Sequence, residues 1–74
     1  MTKSQINSIL KEAKRLREQN PELREGQSIF NAIANFNLEL STDLIFSEFD
    51  CFYDDKKIPQ TIEFLKKIKI IKKA

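Results

Sequence analysis

The 74-residue chain has no histidine and no tryptophan, one glycine, one cysteine and two prolines. Each scarcity removes a class of function. Without histidine there is no imidazole general base and no Cys/His zinc finger, and a lone Cys51 cannot build a disulfide framework. One glycine excludes a glycine-rich phosphate loop or a dinucleotide-binding turn. No apolar run approaches the length of a signal peptide or a membrane span, and Met1-Thr2-Lys3-Ser4-Gln5 is polar. A free thiol also suits a reducing compartment, so a cytoplasmic location is expected.

What is present reads as one foldable helical domain over residues 1–74. Apolar residues make up 41% of the chain and charged residues 32%, a globular rather than a disordered balance. So short a chain buries a modest share of its unfolded surface. With no disulfide or metal to add stability, well-packed helices or self-association must supply it, and a homo-oligomer is an expectation.

Charge is sorted along the backbone. Residues 1–20 carry five bases and two acids, residues 21–55 carry eight acids against Arg24, and residues 56–74 carry seven lysines against Glu63. The total of +2 therefore conceals a basic, acidic, basic layout.

Apolar spacing predicts an all-α fold, a compact bundle of about four helices with one or two of them short. Ile6, Ile9, Leu10, Ala13 and Leu16 recur at three and four residues, the stripe of an amphipathic helix over Lys3 to Gln19. Thr2 with Gln5 forms a capping box, and Met1 packs on Ile6 as a hydrophobic staple. Asn20-Pro21 stops this helix. Gly26 then either caps a short turn in a left-handed conformation or opens a second helix over Gln27 to Asn37. Ile29, Phe30, Ile33, Ala34 and Phe36 cover more than half of that helix, which makes it central. Ser41, with Asp43 two residues on, is the expected N-cap of a third helix through Leu44, Ile45, Phe46 and Phe49. A fourth is expected from Pro59 to Ile70, with Ile58, Ile62, Leu65 and Ile68 on one face and Phe64 and Ile71 widening it.

Polar chemistry is densest in Asp50-Cys51-Phe52-Tyr53-Asp54-Asp55. General acid–base work needs a group titrating near neutrality or a carboxylate shifted by its site. Asp54 and Asp55 precede a helix, where a carboxylate satisfies free backbone N–H groups, so capping is the simpler role. The loop lacks the ligand spacing and central glycine of an EF-hand, and no metal or cofactor is expected. Cys51 lies between a carboxylate and an aromatic ring, both of which keep a thiol protonated, and reads as a small buried hydrophobe. The expected function is therefore not enzymatic.

Two binding surfaces are candidates. One is acidic and aromatic: Asp50, Tyr53, Asp54 and Asp55 present charge and hydrogen bonds while Phe49 and Phe52 supply apolar anchors for a protein partner of basic character. The other is basic: Lys66, Lys67, Lys69, Lys72 and Lys73, joined by Arg24 beside the start of the second helix, form an anion or nucleic-acid site. The basic run has no arginine and no interleaved aromatic for base readout or stacking, so it is the second reading. An internal bridge from Arg24 to the acidic middle is its plainer role. Membrane-surface binding is not expected of so short a segment without tryptophan.

Two stretches carry a resemblance. Asn20-Pro21-Glu22-Leu23-Arg24-Glu25-Gly26-Gln27-Ser28-Ile29-Phe30-Asn31-Ala32, and Asp50-Cys51-Phe52-Tyr53-Asp54-Asp55 leading into Ile58 and Phe64-Leu65, contain an Arg-x-Gly-Gln-x-x-Phe-Asn-Ala run and an Asp-x-Phe-Tyr-Asp-Asp loop. In this the chain resembles small uncharacterised helical proteins of bacterial genomes, phages and other mobile elements. The group usually has proline at the position of Cys51, which implies a less rigid loop here. The resemblance implies a compact helical fold, no established activity, and a setting in which small proteins act by binding and blocking something.

Overall fold

Four α-helices carry the described chain: α1 Lys3–Gln19, α2 Glu25–Phe36, α3 Leu38–Ile45 and α4 Ile58–Lys67, with a 3-10 turn at Asp55–Lys57 ahead of α4. The computed structural model describes residues 1–45 and 47–68, and no strand occurs among them. Phe46, Lys69, Ile70, Ile71, Lys72 and Lys73 therefore lie outside the described residues. The Cα radius of gyration is 11.5 Å, close to the roughly 11 Å of a compact chain this long.

The stripe of α1 behaves as its spacing requires. Ile6, Ile9 and Ala13 are buried, with Met1, Leu10 and Leu16 packed at the margin. Thr2 Oγ1 accepts from the Gln5 amide at 3.1 Å, and the Thr2 amide donates to Gln5 Oε1 at 2.9 Å, so the capping box closes. On the water side the ion pair joins Arg15 to Glu12, three residues apart, at 2.7 Å. Asn20 ends the helix with its amide on the Leu16 carbonyl.

Helix α2 is the hub. It packs mainly on α1, then on α3 and the 3-10 turn, and Ser28, Ile29, Ala32 and Ile33 are buried. It begins two residues earlier than its apolar pattern indicates. Gly26 is its second residue and has no positive φ, so helix opening is its role and the left-handed cap is not.

Three boundaries differ from the sequence expectation. Asn37, not Ser41, caps α3: its Oδ1 accepts from the Leu40 amide at 3.2 Å. Ser41 is a buried helical residue, its hydroxyl turned back onto the Leu38 carbonyl at 2.7 Å. The helix also stops at Ile45, so Phe49 belongs to the following loop. In α4, Lys67 is the last helical residue and Ile68 is extended, three residues short of Ile70. Leu65 and Thr61 are its buried positions, with Ile58, Phe64 and Ile68 flanking.

Candidate functional site

The loop between α3 and α4 is clasped to the N-terminus of α2. An arginine at the N-cap has no acceptor to offer the first free amides of a helix. Gln27 Oε1 reaches back to the Arg24 amide at 3.0 Å, and the Gly26 amide is left to a carboxylate 29 residues downstream: Asp55 Oδ1 accepts from it at 3.0 Å. Arg24 Nε lies 3.7 Å from the same carboxylate, and its guanidinium donates to the Phe52 carbonyl. The Cys51 thiol donates to the Gly26 carbonyl at 3.4 Å. A Cβ on Gly26 would strike the Cys51 carbonyl oxygen and come within 2.7 Å of Asp55 Oδ1. The glycine is there for close approach.

Cys51 is fully buried. Burial, ahead of the nearby Asp50 and Asp55 charges, pushes its thiol up from the ordinary value of 9.0, a direction opposite to that of a reactive cysteine. Below it, the Thr61 hydroxyl donates to the carbonyls of Phe49 and, at 3.1 Å, Lys57, tying the loop to α4.

The acidic-aromatic residues divide by what they touch. Phe49 is half-buried and stacks on Phe64 at 5.1 Å and 18° between planes, which places it with the core rather than as a free anchor. Asp55 holds α2. Asp50 accepts from the Phe52 amide at 2.9 Å through Oδ1, and Asp54 caps the 3-10 turn by accepting from the Lys56 amide at 3.0 Å. Phe52 is half-buried. It meets Phe30 nearly edge-on at 5.4 Å and Tyr53 at 4.8 Å. Tyr53 is 80% exposed.

Asp50, Phe52 and Tyr53, with Phe30 and Ile45, line a shallow groove of about 230 Å³. Phe30 and Ile45 are among the apolar positions of the second and third helices. Their surplus over what one helix face can hold is the sequence signal that some apolar surface stays outside.

Among the described residues, Lys66 and Lys67 do not line this groove. Lys66 and Lys67 are exposed in the last turn of α4, where cations favour the negative end of the dipole, and Lys66 Nζ lies 3.3 Å from Glu63. Arg24, at the start of α2, is engaged with Asp55 and with the carbonyl of Phe52; Lys69, Lys72 and Lys73 are beyond the described residues. Among the described residues no three metal-ligating side chains converge, and no helix is long and apolar enough to cross a membrane. Compared with family models, with curated proteins and with solved structures, the chain matches none.

Proposed function

We propose that this chain is a non-catalytic binding module that recognises a protein partner through the surface built on the α3–α4 loop, with Phe52, Tyr53, Asp50 and Asp54 as its outward members. The observation that carries the reading is Tyr53, left 80% exposed beside an apolar groove while its neighbours Cys51, Phe52 and Asp55 are tied to the start of α2. An exposed tyrosine on a fixed backbone offers large contact area at little entropic cost, which is why such residues concentrate in binding surfaces. Asp55 and Phe49 act from behind by holding the loop. A cytoplasmic, phage or mobile-element setting, in which the module blocks its target, accords with the resemblance of the two motifs.

Affinity capture from host cells with the wild-type chain, Tyr53→Ala and Asp54→Lys tests this. A partner held by the wild type and lost by both variants, with helicity unchanged by circular dichroism, is the expected result. Equal recovery by all three removes the reading. The nucleic-acid alternative rests on the exposed Lys66 and Lys67. It predicts DNA or RNA affinity that falls steeply with salt and is indifferent to Tyr53→Ala.

A further inference from the structure

We infer that the groove at Tyr53 receives a cationic side chain of the partner, specifically an arginine; this rests on the protein-binding reading above. The chemistry of the lining points there. Phe52 meets Phe30 and Tyr53 at 76° and 73°, so neither pair is a parallel stack of ring faces, and the Tyr53 ring is largely exposed. The parallel Phe49–Phe64 stack, by contrast, covers its own faces. Ring faces carry the negative part of the aromatic quadrupole and attract cations.

A carboxylate also lines the groove. Asp50 engages Oδ1 with the Phe52 amide, and among the described residues it takes part in no ion pair, so it brings a negative charge with hydrogen-bonding capacity to spare. A guanidinium is planar and weakly hydrated. It lies flat on a ring while its N–H fork reaches a carboxylate, and a compact, strongly hydrated ammonium does this less well. Size agrees: about 230 Å³ lies below the roughly 300–1,000 Å³ of small-molecule pockets and suits one side chain. The surrounding field agrees as well. Every lining residue named above belongs to residues 21–55, a segment with eight acids against Arg24, itself paired with Asp55, and charge complementarity favours a basic partner segment.

The test is a ¹⁵N NMR titration of the full chain with an end-capped Gly-Ser-Arg-Ser-Gly peptide, and with counterparts carrying citrulline or lysine in place of arginine. Citrulline keeps the planar shape and removes the charge. Saturable shifts at the Ile45, Phe52 and Tyr53 amides are expected with the arginine peptide, and affinity about tenfold weaker with citrulline. Asp50→Asn retains an acceptor for the Phe52 amide and should weaken the arginine peptide about tenfold as well, without altering the fold. Equal binding of the citrulline peptide, no shift at these amides, or the same shifts produced by raising protein concentration alone would each overturn the inference, the last in favour of a second copy of the chain. The two proposals fail separately. A captured partner lost on Tyr53→Ala yet kept by Asp50→Asn leaves protein binding standing and removes the cation, whereas one kept by both removes the binding surface itself.

Discussion

Gly26 has the Cys51 carbonyl and the Asp55 carboxylate where a Cβ would stand. Two effects of Gly26→Ala oppose each other there. Alanine is the better helix former by about 1 kcal/mol, because glycine loses more backbone entropy on folding. Its methyl group, however, would collide with a backbone oxygen that cannot swing aside, and overpacking of this kind costs roughly 1–3 kcal/mol. The collision wins, and it also pushes Asp55 from the Gly26 amide. Gly26→Ala should lower the urea midpoint with an unchanged slope; a raised midpoint would show that the loop lifts away at no cost. Cys51, one contact further on, should resist an aqueous thiol reagent in the folded chain and react at the rate of unfolding. Its thiol is raised by burial from 9.0, so the folded state holds a proton that the unfolded state releases first. The stability it contributes is complete below about pH 9 and is lost as pH rises through the folded value, while Cys51→Ala should flatten that alkaline limb.

At the scale of the element, α3 is the marginal helix. Eight residues are too few to hold a helix without tertiary packing and a good cap. Asn37 supplies that cap, and Asn37→Ala should cost about 1 kcal/mol by thermal denaturation. Ser41→Ala removes a hydroxyl already satisfied within its own helix and should cost less. The reverse order would restore Ser41 as the start of the helix. Both residues are good caps by type, and local sequence does not rank them. Leu40 and Leu44 do, because both are buried against α2 and the helix must begin early enough to include Leu40. The long stripe of α1 had no such competition, and its bounds follow from Thr2, Gln5 and Asn20-Pro21 alone. In α4 the periodic lysines and isoleucines run on past Lys67, but Ile68 turns extended while still packed on the core.

For the whole molecule, stability concentrates in few side chains. A chain of this length holds on the order of 4–11 kcal/mol in total. Ile33 is fully buried on the helix that touches most of the others, and truncating such a residue costs about 2–5 kcal/mol. Ile33→Ala should therefore lower the melting temperature by at least about 10 °C, whereas Tyr53→Ala, at an exposed site, should leave it within a degree or two. A comparable loss from Tyr53→Ala would mean that its ring is structural and the groove is not free to bind.

Helical class, the buried stripe of α1, the centrality of α2 and the burial of Cys51 were determined by the order of residues itself, since each follows from spacing and chemistry within a few turns of chain. The clasp of Asp55 on Gly26, the withdrawal of Phe49 into a stack with Phe64, and the meeting of Phe30 with Phe52 and Tyr53 around one groove were decided only in three dimensions. They join residues 15 to 29 apart. Helical periodicity carries no information over that distance; which faces meet is settled by the packing of whole helices.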